Sequence, residues 1–216
     1  MTSQSGLYLD MVTWVASAWT DIQTDHNGRW AWLRKDWTLN TTASDGIYEY
    51  GDITDVEDAA AITRFSDWRI KDKYNPPKIY LTSGGLGSER WLVYRSWDPF
   101  NLVFGVGTQN DGAPVFITED PQQRIQFGPV PGDIYTVTGE YYRGPQTLAT
   151  NSDTPECPAQ FHMVIVYRAM MDYAFNEVAP EILSRAERRY DELYARLETN
   201  QAESVRGFRT ARSLVD

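Results

Sequence analysis

The sequence has 216 residues, of which 42% are apolar, and it carries a formal net charge of −10. These values favour one folded domain with a real core and exclude wholesale disorder. They also argue against a protein that wraps nucleic acid, since neutralising phosphates requires a basic surface. The single cysteine, Cys157, excludes a disulfide framework. No stretch approaches the ~20 apolar residues of a membrane span, and the first residues lack signal-peptide features, so we expect no membrane role.

The first predicted element is an amphipathic helix over residues 5–24. Its apolar residues recur every three or four positions and therefore form one stripe: Leu7, Met11, Trp14, Val15, Ala18, Trp19 and Ile22. Asn27 and Gly28 then provide a typical C-terminal stop.

A β-rich region is predicted next, over residues 30–143. Short apolar and aromatic runs alternate with turn signals such as Asp45-Gly46, which is typical of antiparallel strands. Strands are predicted at residues 30–33, 36–39, 46–50, 65–70, 78–81, 91–94, 114–118, 124–127 and 135–142. The last one alternates threonine and glutamate with apolar residues, which predicts one solvent-facing side. The acid-led, alanine-rich residues 55–62 predict a short helix, and the glycine-rich residues 83–87 predict a flexible loop.

Two helices and a tail complete the pattern. Residues 158–176 carry one apolar stripe, and Pro180 suits the first turn of a second helix over residues 180–198. Residues 201–216 are polar and predict an extended tail. The fold class is therefore α+β. In this single domain of residues 1–200, the N-terminal and C-terminal amphipathic helices pack as a small bundle, and the antiparallel β region is a large insertion.

Few side chains could support catalysis. The two histidines, His26 and His162, belong to no cluster with metal-ligand spacing, so no metal or cofactor is predicted. Cys157 and His162 could form a nucleophile and base, although a small buried cysteine is the more common situation. Acids at residues 52–58 and 119–120 could serve a glycosidase, but acids also begin helices and turns. We predict no catalytic residue.

The aromatic residues admit two interpretations. All eight tryptophans lie between Trp14 and Trp97. Trp30 and Trp32 would share one face of a strand, either as part of the core or as anchors of an interface, where tryptophan is enriched. The tail, with its evenly spaced arginines, is either a solvated end or a segment that orders on a partner.

Several motifs then occur in a fixed order. They are Trp97-Asp-Pro-Phe100, Gly112-Ala-Pro-Val-Phe116, Gly128-Pro-Val-Pro131, Tyr141-Tyr-Arg143, Asp153-Thr-Pro155 and a closing segment from Tyr190 to Leu197. This ordered set resembles the head–tail adaptor (connector) proteins of tailed bacteriophages. The resemblance covers about residues 7–200.

The resemblance implies a structural virion protein and not an enzyme. Proteins of this kind form a ring, commonly of twelve copies, beneath the portal in the neck of the virion. The ring extends the DNA channel and docks the stopper or tail, and DNA passes through it without specific binding. The chain would be made in the host cytoplasm. In such a ring, one patch of each subunit meets a different patch of the next.

The resemblance also suggests which residues form interfaces. Because the C-terminal segment commonly reaches the portal in this family, we expect a portal interface at Arg206, Phe208, Arg209 and Arg212. A subunit or tail interface is expected at Trp30, Trp32, Trp97 and Phe100.

Other functions stay open at this point. One is another ring of the same neck or tail, such as a stopper or tail-completion protein. A carbohydrate-binding or receptor-binding module would need coplanar aromatic side chains exposed on a sheet. A hydrolase would need one of the acidic pairs.

Overall fold

The chain folds into two compact units. A computed structural model describes residues 6–107, 109–150 and 152–201. The α+β class predicted from the sequence is confirmed, because helices are combined with antiparallel sheets. The helical unit comprises the chain up to Trp32 and from Gln146 onwards, and the β unit comprises Leu33–Pro145.

The helical unit is built from α1 (Leu7–Thr24), α3 (Met163–Asn176) and α4 (Pro180–Gln201), while α2 (Trp97–Phe104) belongs to the β unit. Helix α1 packs against α3, and α3 packs against α4. Pro180 occupies the first turn of α4, where its missing N–H costs no helical hydrogen bond. A short 3-10 turn at Ala159–Phe161 precedes α3, so the predicted helix over residues 158–176 begins with a tighter turn.

The larger sheet of the β unit has seven strands. They are β1 (Arg34–Asn40), β3 (Thr54–Asp55), β4 (Ala60–Ala61), β5 (Phe65–Trp68), β6 (Lys78–Leu81), β7 (Arg90–Trp91) and β11 (Tyr135–Arg143). Their order is β4-β3-β1-β11-β6-β7, and β5 also pairs with β11. Strand β11 runs antiparallel to β1 over the full length of β1, from the pair Arg34–Tyr142 to the pair Asn40–Thr136.

The smaller sheet has four strands. They are β2 (Ile47–Tyr48), β8 (Val93–Tyr94), β9 (Phe116–Glu119) and β10 (Ile125–Gly128), in the order β2-β10-β9-β8. Only the β8–β9 pair of this sheet is parallel among the described strands. Both sheets contribute to one apolar core, which includes Trp37, Trp68, Ile79 and Tyr141 from the larger sheet and Ile117, Ile125 and Phe127 from the smaller one.

The solvent-facing side predicted for β11 is not found. Thr136 is buried, and its hydroxyl donates a hydrogen bond to the side-chain amide oxygen of Asn40 and forms another with the hydroxyl of Thr82. The Glu140 carboxylate accepts an ion-paired hydrogen bond from Arg69. Because β11 has partners on both edges, the Thr136 and Glu140 side chains find their polar partners on neighbouring segments of the protein.

Two local predictions were wrong. Residues 30–33 do not form a strand but include a 3-10 turn at Ala31–Leu33, after which β1 begins. Residues 55–62 do not form a helix but the hairpin of β3 and β4. The Asp55 carboxylate accepts the backbone N–H groups of Glu57 and Asp58. This local pattern closes a turn and competes with the helix N-cap that the same residues suggested.

The chain between residues 82 and 104 also differs from the prediction. The glycine-rich segment forms 3-10 turns within Thr82–Ser88 that meet at Gly85, whose φ of 64° favours glycine. The strand predicted at residues 91–94 is split, because the buried Leu92 separates β7 and β8, which belong to different sheets. Helix α2 was not predicted, since it is only 8 residues long and includes the exposed apolar Leu102 and Val103.

Gly139 of β11 allows the Trp37 ring of β1 to lie directly on the strand. A Cβ atom at this position would lie 2.7 Å from Cζ2 of Trp37. We therefore expect Gly139→Ala to lower the free energy of unfolding by about 1–3 kcal/mol, because the buried ring must shift. Urea denaturation followed by circular dichroism measures this change. Gly51→Ala is the control, since its Cβ atom would meet nothing within 4 Å, and equal stability of the two variants would contradict the packing account.

Candidate interaction surfaces

Cys157 and His162, the candidate nucleophile and base, have structural roles. Cys157 is buried, and burial raises the pKa of its thiol to about 11. The thiol is therefore protonated near neutral pH and a poor nucleophile. The Nε2 atom of His162 hydrogen-bonds the backbone carbonyl of Cys157 at 3.0 Å, which ties the loop to the start of α3.

The acidic candidates also organise turns. The buried Asp120 carboxylate accepts the backbone N–H groups of Gln122 and Arg124 and the side chains of Arg124 and Gln126. Burial raises the pKa of Asp120, but these hydrogen bonds outweigh it and the net shift is downwards. Asp120 thereby holds the hairpin of β9 and β10. Within residues 6–107, 109–150 and 152–201, no group of three His, Cys, Asp or Glu side chains is arranged to hold a metal ion.

Asp55 is a second buried carboxylate of the β unit. It is 1% exposed, and it accepts hydrogen bonds from the Tyr141 hydroxyl and, at 2.6 Å, from the Arg143 guanidinium, which also pairs with Asp58. Burial raises the pKa of Asp55, but the bonds from Tyr141, Arg143 and the Asp58 backbone lower it to about 2. This cluster fastens β3 to β11.

Trp30 lies in the interior of the helical unit. Its side chain is fully buried, and its indole N–H donates a hydrogen bond of 2.7 Å to the carbonyl of Ile22. It stacks on Trp32 with 4.6 Å between ring centroids and meets the edge of Tyr194. A side chain with no exposed surface cannot anchor a partner while this packing persists, so the core interpretation of Trp30 is the one its surroundings favour.

The other aromatic candidates differ in exposure. Trp32 is half-buried, and its indole N–H is buried without a hydrogen-bond partner among the described residues. Trp97 is half-buried at the start of α2, whereas Phe100 is 2% exposed and stacks against Trp97 and Phe104. The expected interface role of Trp32 and Trp97 stays a prediction. Phe100 packs against Trp97 within the β unit.

The candidate portal interface cannot be located. Arg206, Phe208, Arg209 and Arg212 lie outside the described residues. The portal interface expected at these four residues therefore stays a prediction.

A concave apolar surface of the helical unit was not foreseen from the sequence. An apolar groove of about 680 Å³ opens between α1, α3 and α4, lined by residues that include Met11, Trp14, Val166, Met170, Tyr173 and Ile182. Trp14 and Tyr173 meet edge to face inside it, with 6.1 Å between centroids. We refer to this surface as the apolar groove. The stripe of α1 was predicted to be buried, but only its C-terminal half, at Ala18, Trp19 and Ile22, is covered.

The N-terminal half of α1 leaves further apolar surface open. Leu7, Tyr8 and Leu9 are 42%, 70% and 50% exposed. Large exposed apolar side chains next to each other in the chain are typical of a binding surface. No described helix is both long and apolar enough to cross a bilayer.

Comparison with known proteins gives one family. The model of the family described as SU10 adaptor protein matches residues 3–213, which is nearly the whole chain. No curated protein matches the sequence.

The Asp55 cluster predicts a specific acid sensitivity. Its carboxyl has a pKa of about 2 in the folded chain and an ordinary value of 3.8, so its stabilising effect is present above pH 3.8 and is lost as the pH falls towards 2. We expect this loss to be on the order of 2 kcal/mol. Thermal unfolding followed by circular dichroism between pH 6 and pH 2 measures it.

Asp55→Asn should be less stable than the wild type at pH 6, because it removes the buried negative charge that is paired with Arg143. It should also lose less stability on acidification. Asp58→Asn is the control, since the Asp58 side chain is 60% exposed and should matter by less than about 1 kcal/mol. Parallel pH profiles for wild type and Asp55→Asn would contradict the assignment.

Proposed function

Because the chain belongs to the SU10 adaptor protein family, a family of phage head–tail adaptors, we propose that it forms a ring beneath the portal of a tailed phage. The ring extends the DNA channel and docks the stopper or tail. The observation that carries the proposal is the extent of the family match, which spans both units and most of the C-terminal segment. A structural role also agrees with the positions of the acidic candidates, which organise turns, and of the single cysteine, which is buried in the core.

The exposed apolar surface of the helical unit supports an assembled state. The apolar groove and the open end of α1 together present aliphatic and aromatic side chains to solvent. Burying such side chains against protein is favourable by roughly 25 cal/mol per Å² of apolar surface. Subunits of a ring provide that cover, since each one has a neighbour on both sides.

The charge of the chain suits a channel for DNA. Each copy carries a formal charge of −10, so a ring of twelve would bring about −120 charges close to the packaged genome. A wall of this sign repels phosphate and does not retain it. DNA would therefore slide through the ring without specific binding.

We assign two further contacts to the assembled neck. The arginine-bearing tail, with Arg206, Phe208, Arg209 and Arg212, would dock on portal subunits through charge-assisted hydrogen bonds and one aromatic anchor. Trp32 and Trp97, which are half-buried in the single chain, would contact a neighbouring subunit or the tail.

Negative-stain imaging of the purified chain with its portal tests the proposal. We expect rings of about twelve copies stacked on one face of the portal, because each portal subunit offers an equivalent site. A stopper or tail-completion protein would leave the portal bare and bind another ring of the neck. A chain that stays monomeric beside the portal would overturn the proposal.

A truncated chain that ends after Glu198 tests the tail in the same preparation. The remaining chain keeps the buried Leu197 of α4 and should fold. We expect it to lose portal binding, and a variant with Arg206, Arg209 and Arg212 replaced by lysine should bind with intermediate strength, since lysine keeps the charge but not the bidentate geometry. Undiminished binding of the truncated chain would refute the assignment of the tail and leave the ring proposal standing.

A further inference from the structure

The turn between α3 and α4 exposes two apolar side chains that the single chain does not need there. Phe175 is 82% exposed and Val178 is 83% exposed. We call these two residues the α3–α4 tip. Large apolar side chains that protrude together are typical of contact points between proteins.

The backbone at the α3–α4 tip makes Val178 more unusual. The Ala179 N–H donates to the carbonyl of Ala174, which is the hydrogen bond of a Schellman motif at the end of α3. Val178 thus occupies the position that glycine usually takes, and its φ is 53°. A β-branched residue is strained in this left-handed region. Packing within the described chain does not explain the choice of valine, because its side chain points into solvent.

Phe175 of the tip and the groove-lining residues of α3 lie on opposite sides of that helix. Val166, Met170 and Tyr173 of α3 line the groove. Phe175 follows Val166 by nine residues, which at 3.6 residues per turn places it roughly 180° away around the helix axis. Each copy therefore carries a convex apolar surface on one side of α3 and a concave one on the other. This is the arrangement that a head-to-tail contact between identical chains requires.

Charged groups beside the two surfaces allow one ion pair between copies. Arg185 and Glu181 both line the apolar groove, and Arg185 is exposed and forms no ion pair with any residue the structure describes. Glu177 lies within the tip between Phe175 and Val178, is exposed, and contacts only the amide of Asn176 as a side-chain partner in that part of the chain. The Glu177 carboxylate of one copy can therefore pair with the Arg185 guanidinium of another.

We propose that the α3–α4 tip of one copy inserts into the apolar groove of the next copy and forms the repeating contact of the ring. The proposal rests on the proposed function, since a closed ring needs two different patches on each subunit. It names those patches. Phe175 and Val178 are the anchors of the contact, and Glu177 pairs with Arg185 at its edge.

Charge substitutions in the full-length chain test both halves of the contact. Phe175→Glu alters the tip, and Val166→Glu alters the groove at a side chain that is 42% exposed. We expect each to weaken ring assembly on the portal by tenfold or more, as for the removal of an interface anchor (~1.4 kcal/mol per tenfold). The matched controls are Leu102→Glu and Met163→Glu, at side chains that are 77% and 47% exposed and lie outside both surfaces. Circular dichroism verifies that each variant is folded.

Mixing the two defective variants separates a direct contact from a general loss of solubility. Phe175→Glu keeps an intact groove and Val166→Glu keeps an intact tip, so an equimolar mixture should form heterodimers while each variant alone stays monomeric. Sedimentation velocity distinguishes these species. A mixture that stays monomeric would overturn the proposal.

Disulfide cross-linking tests the same contact without the portal. A chain with both Phe175→Cys and Met170→Cys should give a ladder of dimers, trimers and longer species on oxidation at high concentration, because a head-to-tail contact repeats. The pair Leu102→Cys and Met170→Cys is the control, and the native Cys157 is buried. Products that stop at the dimer, or no products, would refute the repeating contact.

The outcomes also separate this inference from the proposed function. If the wild type and both glutamate variants form rings on the portal, the function stands and the assigned surfaces are wrong. If the wild type forms no ring on the portal, the function fails, and the cross-linking ladder alone then decides whether the tip and the groove meet.

Discussion

The β unit depends on the pairing of one strand, β11, with β1. β11 provides partners for β1, β5 and β6, so most of the larger sheet is held by its backbone. Its side chains extend the same role. Gly139 makes room for the Trp37 ring, and Tyr141 and Arg143 hold the carboxylate of Asp55. Because β11 is the last strand of the insertion, the larger sheet is complete only when the end of the β unit has joined its beginning.

In the helical unit, by contrast, part of the apolar surface is left unburied. Three helices pack through α3, yet the N-terminal half of α1, the apolar groove and the α3–α4 tip remain open. The fully buried Trp30, which stacks on the half-buried Trp32, shows that this unit has a core of its own. The remaining apolar surface is thus better explained by assembly than by weak folding. A family of head–tail adaptors supplies a reason for such surfaces.

The sequence predicted the fold class and the helices better than the β region. The three-and-four spacing of α1 and the position of Pro180 depend on local chemistry, so both were recoverable. Asp55 misled the prediction because one carboxylate can cap a helix or close a turn, and only the distant Tyr141 and Arg143 decide between them. The apolar groove was invisible for a similar reason. Periodicity identifies an apolar face such as Met11 and Trp14, but not whether a neighbour covers it.

The central claim is that the chain assembles as a ring on the portal, and native mass spectrometry of the purified complex tests it most directly. The mass of the chain is 24.7 kDa. The account predicts that the complex gains one chain for every portal subunit, in a single dominant species, because a closed ring fills all equivalent sites together. A complex that gains one chain, or a broad distribution of partial occupancies at saturating concentration, would contradict it.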